Sequence, residues 1–144
     1  MCDKIIPNMY PVELTAPMAA ELTSVGFTEL KTPAQVDAAF KEAGTVLCVV
    51  NSVCGCAAGA ARPGVTASLA GGKRPDRLVT VFAGVDNEAT MQARNHFLPY
   101  PPSSPSIALM KDGKLVHFVE RHHIEGRSAE MIAEHLRTVY AEFC

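Results

Sequence analysis

Two cysteines separated by one residue, Cys54 and Cys56, carry the clearest chemical signal in the sequence. They lie after a short apolar run and before an alanine-rich stretch, which predicts a position between a buried strand and the first turn of a helix. The partial positive charge of a helix N-terminus is expected to favour the thiolate of Cys54, and the thiolate is the form that attacks disulfides. Gly55 allows a tight turn between the two sulfur atoms. The pair is therefore predicted to take part in thiol–disulfide exchange.

A disulfide that closes between Cys54 and Cys56 would contain a very small ring, and strain makes such a bond easily reduced. The pair is expected to pass disulfides on rather than to store one. Two other interpretations remain open at this point. In the first, the pair belongs to a metal-binding module, with Cys48 or His122-His123 as further ligands, because a metal site needs three or four. In the second, the chain is a protein-binding domain without catalysis.

Hydrophobic patterning and capping signals predict the elements that position the cysteine pair. The apolar runs predict four strands, over residues 45–51, 77–83, 106–110 and 114–120. Helical spacing predicts helices over residues 17–25, 33–43, 56–69 and 88–97 and from Ser128 onwards. Pro63 is expected to kink the third helix, and Asp112-Gly113 predicts a hairpin between the last two strands. Parallel crossovers followed by an antiparallel hairpin give an α/β sandwich with a mixed central sheet and flanking helices.

Pro105 directly precedes the third predicted strand and is the second feature that suggests chemistry. The order of predicted elements resembles a thioredoxin-like core, and in such a fold a cis-proline begins the strand that faces the active site, so we expect a cis peptide bond before Pro105. The backbone of Ser104 would then be free to pair with an extended substrate. Pro99, Pro101 and Pro102 are expected to be ordinary loop prolines.

The composition narrows the classes of function. The 144 residues are 48% apolar and carry a net charge of −2, which argues against a nucleic-acid-binding patch or a polybasic membrane anchor. The N-terminus has no signal-peptide pattern, so a cytoplasmic location is expected. Five cysteines are an odd number and a poor framework for structural disulfides. Cys48 is expected to be a buried and inert thiol, and Cys2 and Cys144 to be bystanders near the chain ends.

Several segments of the sequence together resemble the bacilliredoxin family. The resemblance rests on residues 51–59 with Ala61-Arg62-Pro63, on 102–106, on 111–117 and on 120–127, with agreement at Met9-Tyr10-Pro11 and over 94–99. It covers nearly the whole chain, and CGC combined with ARP and RHHIEGR is a specific combination. The resemblance implies a single thioredoxin-like domain, a three-layer sandwich over residues 1–144, with a helical N-terminal extension over about residues 1–43.

The same resemblance implies the removal of bacillithiol, a small cytoplasmic thiol, from proteins that carry it as a mixed disulfide. Cys54 would be the nucleophile that takes the bacillithiol, and Cys56 the resolving thiol that closes a Cys54–Cys56 disulfide. Gly55 and Pro105 would shape the site. No bound cofactor or metal is implied, and the partners would be bacillithiolated or disulfide-bonded proteins and bacillithiol itself as co-substrate. Disulfide isomerase or reductase activity would have the same chemical basis.

The sequence departs from the wider thioredoxin pattern around the cysteine pair. One residue rather than two separates the cysteines, the chain has no tryptophan, and Cys48 stands where thioredoxins have a buried acid. Efficient reduction of the thioredoxin type is therefore not expected.

The polar residues near the motif have more than one interpretation. Asn51 is expected either to donate a hydrogen bond near the thiolate or to form a turn. Arg62, on the predicted active-site helix, is expected to be solvated. Residues 121–127 form a compact basic loop with Arg121, His122-His123 and Arg127, which is either a solvated turn or a docking site for the carboxylates of bacillithiol.

Overall fold

Five strands form one mixed sheet within residues 10–144, the part of the chain that the structure, a computed structural model, describes. The strands are β1 (Thr28–Glu29), β2 (Thr45–Asn51), β3 (Arg77–Phe82), β4 (Ser106–Lys111) and β5 (Lys114–Val119). Their order across the sheet is β1-β3-β2-β4-β5. β1 and β2 run parallel to β3, whereas β4 pairs antiparallel with both β2 and β5. The predicted parallel crossover and the hairpin at Asp112-Gly113 are thus confirmed.

Five α-helices flank this sheet in the described residues. They are α1 (Val12–Thr23), α2 (Pro33–Lys41), α3 (Arg62–Ser68), α4 (Asn87–His96) and α5 (Ala129–Phe143). A capping box between Thr32 and Gln35 begins α2, and the Ser128 hydroxyl accepts a hydrogen bond from a backbone N–H at the start of α5. None of the helices within residues 10–144 has the length and apolar character needed to cross a lipid bilayer.

Two apolar cores lie on opposite faces of the sheet, because successive side chains of a strand point to opposite sides. Leu47 and Val49 of β2 pack in the first core, together with residues of α1, α3 and α5. Val46 and Cys48 pack in the second core, together with residues of α2 and α4. Every residue of β2 is buried, and this explains why its sequence is continuously apolar rather than alternating.

Three features differ from the sequence-based expectations. α1 begins at Val12 rather than near residue 17 and contains Pro17. β1 was not predicted, since two residues are too few to show an alternating pattern. The peptide bond before Pro99 is cis, like the expected one before Pro105, so Pro99 is not the ordinary loop proline that we expected. The residues around Pro99 give no signal that separates it from the neighbouring loop prolines.

The helix that follows the cysteine pair has two parts. Gly55 and Cys56 are already helical, Ala57–Ala61 form a π-helical stretch, and α3 continues from there. The change of helix type occurs next to Pro63, which has no N–H to donate to the preceding turn. The disturbance expected at Pro63 therefore takes the form of a change from π to α geometry.

Gly64 marks a close approach of α3 to α5. A Cβ atom at this position would lie 2.7 Å from Ile132 Cβ and 2.9 Å from the Ala129 carbonyl oxygen, and a backbone atom cannot move away cheaply. Because overpacking a close contact costs about 1–3 kcal/mol, we expect Gly64→Ala to lower the free energy of unfolding by about 2 kcal/mol. Urea denaturation of the reduced protein measures this change.

Gly59→Ala is the matched control, because Gly59 lies in the same helical segment and is exposed, with no atom within 4 Å of the position of a Cβ. Alanine has the higher helix propensity, so this variant is expected to be as stable as the parent or slightly more so. Equal stability of the two variants would show that α3 and α5 are not packed as closely as the structure has them.

Candidate active site

The cysteine pair lies at the edge of the sheet where β2 and β3 end, β4 begins and β5 ends. Cys54 is 7% exposed, Cys56 is half-buried, and Gly55 between them is exposed. The Cys54 carbonyl oxygen accepts hydrogen bonds from the backbone N–H groups of Ala57 and Ala58, both at 3.1 Å. Cys54 therefore stands at the N-terminus of the helix, where the sequence analysis expected it.

The two cysteines of the motif are in different chemical states. Cys54 is disulfide-bonded, whereas Cys56 is a free thiol, as are Cys48 and Cys144. The disulfide at Cys54 is therefore not the Cys54–Cys56 bond that the family resemblance implies. Cys56 remains available to attack the sulfur of Cys54, which is the step that such a bond would require.

The loop before β4 faces the cysteine pair. The peptide bond between Ser104 and Pro105 is cis, and the Ser104 carbonyl oxygen lies 4.0 Å from Cys54 Sγ. Ser104 is fully buried, and its carbonyl oxygen accepts a hydrogen bond of 3.1 Å from Arg121 Nη1. An extended substrate that pairs with this backbone would therefore have to share the carbonyl with Arg121.

Arg121 is the residue at this site whose role the sequence analysis missed. Its Nη1 lies 3.3 Å from Cys54 Sγ, and its Nε lies 3.5 Å from a carboxylate oxygen of Glu125. The Arg121 backbone N–H donates to the Ser103 hydroxyl at 3.4 Å, which fixes the loop against the segment before β4. A guanidinium group beside a sulfur atom favours its anionic form. The RHHIEGR segment marked this loop as basic, but its sequence does not indicate which of its cationic side chains contacts Cys54.

Arg62 is buried and not solvated, which corrects the expectation for this residue. Its side chain is 2% exposed, and its Nη1 donates to Asn51 Oδ1 at 3.0 Å and to the Ser52 carbonyl oxygen at 2.8 Å. Its Nε lies 3.1 Å from a carboxylate oxygen of Glu21 without hydrogen-bond geometry, so this contact is an ion pair only. The guanidinium thus ties α3 to the turn that leads into Cys54. The buried acid of thioredoxins has no counterpart here, and a buried cation lies behind the motif instead.

Asn51 holds the turn before the cysteine pair. Its Oδ1 accepts from the Ser52 backbone N–H at 2.9 Å as well as from Arg62, and its Nδ2 donates to the Met18 carbonyl oxygen at 3.3 Å. The Ser52 hydroxyl in turn accepts from the Cys54 backbone N–H at 3.4 Å. Of the two roles considered for Asn51, the described contacts support the turn and not a hydrogen bond to the sulfur.

Two further cysteines of the described residues, Cys48 and Cys144, are free thiols outside the motif. Cys48 is completely buried in the second core, and burial raises its pKa to about 12, so it stays protonated at neutral pH. Cys144 packs against the first core, and burial also raises its pKa. Cys2 lies outside the described residues.

A metal ion bound by the motif finds no support among the described residues. Within residues 10–144, the donors close enough to share one ion are Glu120, His122 and His123, whose ligand atoms lie within 4.8 Å of one another. Neither cysteine of the motif belongs to this group. Cys48, the third thiol considered as a ligand, is buried in the second core.

Comparison with known proteins agrees with this geometry. The family model described as disulphide isomerase matches residues 10–144. A bacilliredoxin of Cytophaga hutchinsonii is 66% identical over 134 residues, which cover 93% of this chain and 99% of the relative. A bacilliredoxin of Bacillus cereus is 52% identical over 137 residues, which cover 95% of each chain.

The structural comparison establishes the fold class. The oxidised form of mitochondrial thioredoxin 3 from Saccharomyces cerevisiae superposes with a TM-score of 0.55 at 16% identity, covering 85% of this chain and 98% of the thioredoxin. At this identity the match shows the thioredoxin-like fold alone. Together with the family match, it shows that the chain belongs to the bacilliredoxin family and has a role in thiol–disulfide exchange.

Proposed function

We propose that the chain removes bacillithiol from cytoplasmic proteins that carry it as a mixed disulfide, with Cys54 as the nucleophile and Cys56 as the resolving thiol. Residues 1–144 act as one thioredoxin-like domain, and isomerase or reductase activity uses the same two thiols. The observation that carries the proposal is the distance of 3.3 Å between Arg121 Nη1 and Cys54 Sγ. A cation at this distance, added to the helix N-terminus, favours the thiolate that must attack.

The first step starts from reduced Cys54. Its thiolate attacks the bacillithiol sulfur of the mixed disulfide, so that one S–S bond breaks and a new one forms between Cys54 and bacillithiol. The substrate protein leaves as a thiolate and takes a proton from solvent. Arg121 and the helix N-terminus hold the negative charge on Cys54 before the attack.

The second step regenerates the small thiol. The thiolate of Cys56 attacks the Cys54 sulfur, bacillithiol leaves as a thiolate, and a Cys54–Cys56 disulfide forms. A further molecule of a low-molecular-weight thiol then attacks this disulfide, and a second one completes its reduction. The electrons come from these thiols, so no bound cofactor is needed.

Access to the pair supports a protein substrate. Gly55 is exposed, and a Cβ atom at its position would meet nothing within 4 Å. The position of Gly55, between the two cysteines, is therefore open, while Cys54 itself is buried, with its sulfur 4.0 Å from the Ser104 carbonyl oxygen. Once the disulfide at Cys54 is reduced, a mixed disulfide would approach Cys54 from the exposed Gly55 side.

The experiment that tests the proposal is intact-protein mass spectrometry of reduced Cys56→Ala after exposure to a bacillithiolated model protein. Without the resolving thiol, Cys54 should take the bacillithiol and keep it. We expect one bacillithiol adduct per chain, located on Cys54 by fragmentation, and release of the model protein with a free thiol.

Cys54→Ala is the matched control, and it should form no adduct and release no model protein. An adduct on Cys56 would reverse the two roles. If the Cys56→Ala variant forms no adduct, the bacillithiol proposal fails. General disulfide isomerase activity is then the better-supported function.

A further inference from the structure

A cleft between β5 and the first turns of α5 is not used by the two steps described above. Its volume is about 240 Å³. The side chains that matter for its chemistry are His117, His123, Arg127 and His135, and Val119 and Ile132 form part of its apolar floor. The floor is buried, whereas His123, Arg127 and His135 stand at the surface. The cleft is therefore open to a small solute and small enough to select among such solutes.

The lining of this cleft is suited to an anion. It contains one guanidinium group, three imidazoles and no carboxylate. His117 Nε2 and His135 Nε2 are 2.9 Å apart, so one of these atoms donates a proton and the other accepts it. Burial and the neighbouring His135 lower the pKa of His117, while the charge of Glu142 and that of His123 act on it in opposite directions. Arg127 thus supplies the permanent positive charge, and the imidazoles supply N–H donors.

The cleft and the active site are joined by one short turn of the chain. Its wall residue His123 belongs to the short 3-10 turn that begins with Arg121, and Arg121 Nη1 lies 3.3 Å from Cys54 Sγ. Its floor residue Val119 pairs with Ile107, at the end of the sheet where β4 begins. A group held in this cleft would therefore lie against the turn that carries Arg121.

We propose that this cleft binds a carboxylate of the small thiol during its transfer to Cys54, with Arg127 as its ion-pair partner and the imidazoles as hydrogen-bond donors. The inference rests on the proposed function, because it names how that same site recognises its thiol. A carboxylate neutralises the charge of Arg127 and can accept hydrogen bonds from the imidazole N–H groups that are not used in the contact between His117 and His135.

The test compares two adducts of one model protein, in which the same cysteine carries either bacillithiol or cysteamine, which has no carboxylate. For Arg127→Gln we expect kcat/KM to fall about tenfold with the bacillithiol adduct, because the charge-assisted hydrogen bond between the guanidinium and the carboxylate is lost. With the cysteamine adduct, kcat/KM should stay at the parent value. Lys114→Gln is the control, because it removes one positive charge from the opposite end of β5.

Three outcomes would overturn the inference. Equal losses with both adducts would indicate a structural effect or a carboxylate on the model protein, since both adducts share that protein. No loss with either adduct would show that Arg127 does not bind the thiol. An equal effect of Lys114→Gln would show only a general dependence on charge.

If the parent protein removes neither adduct, the proposed function fails. Binding of a carboxylate in the cleft can still be tested by a direct titration. Succinate, a simple dicarboxylate, is added while the imidazole NMR signals of His117 and His135 are followed. Saturable shifts that are absent in Arg127→Gln, and absent when neutral succinamide is used, support a carboxylate site. Shifts that do not saturate, or that persist in Arg127→Gln, overturn it.

Discussion

Replacing Arg121 by methionine is expected to slow the reaction of Cys54 about tenfold at neutral pH, because a charge-assisted hydrogen bond to the thiolate is lost. The full contribution of such a bond is reduced here, since Arg121 is 27% exposed and its Nε also faces Glu125 at 3.5 Å. The loss of the cation also moves the pH midpoint of Cys54 reactivity upward. The deficit should therefore be largest below the midpoint of the parent and should vanish at high pH, where both proteins carry the thiolate.

The measurement is the rate of alkylation of Cys54 by iodoacetamide across pH, in reduced protein that carries Cys56→Ala. This background leaves Cys54 as the reactive thiol of its peptide, because Cys48 in the same stretch is buried with a pKa of about 12. Peptide mass spectrometry separates this stretch from the other cysteines.

Two control variants separate charge from structure. Arg121→Lys keeps a cation and should restore part of the rate, whereas Glu125→Gln removes the competing carboxylate and should not slow the reaction. A deficit of the same size at every pH would indicate that Arg121 only supports the loop. An unchanged rate in Arg121→Met would exclude it as the partner of the thiolate.

The parts of the fold that the sequence predicts are those with a local pattern. β2 is buried along its whole length and has a continuous apolar sequence, and Asp112-Gly113 adopts the positive φ angles of a tight hairpin turn. β1 escaped prediction because it has only two residues, and its place in the sheet depends on pairing with β3. The start of α1 was predicted near Pro17, whereas the helix begins at Val12, five residues earlier.

In the candidate site too, the sequence predicts the features that depend on neighbouring residues and misses those that depend on distant ones. The position of Cys54 between a strand and a helix follows from residues next to it, so it could be predicted. The contact of Arg121 with Cys54 joins residues 67 positions apart, and the contact of Arg62 with Asn51 depends on how α3 packs against the end of β2. No pattern in the sequence encodes such a meeting, since an arginine that is solvated and one that is buried have the same local signal. These two cations were therefore found only through the tertiary structure.

Arg62→Met is expected to lower the free energy of unfolding by about 3 kcal/mol, because removal of one partner leaves buried polar groups without a hydrogen bond. The guanidinium is 2% exposed, and without it Asn51 Oδ1 and the Ser52 carbonyl oxygen lose their donor. Methionine fills much of the volume of the arginine side chain. The decrease in the free energy of unfolding therefore comes mainly from the lost hydrogen bonds and less from a cavity. Urea denaturation of the reduced proteins, with an unchanged m-value, gives the difference.

Glu21→Gln tests whether the ion pair or the buried hydrogen bonds carry this stability. The Glu21 side chain is 49% exposed, so its charge is screened by water and its removal should cost less than about 1 kcal/mol. A large loss in Glu21→Gln with a small loss in Arg62→Met would reverse this assignment. Because Asn51 and Ser52 lead directly into Cys54, Arg62→Met should also change the alkylation rate of Cys54 under conditions where the variant is fully folded. Glu21→Gln should leave that rate unchanged, since the described hydrogen bonds to the turn come from Arg62, which the variant retains.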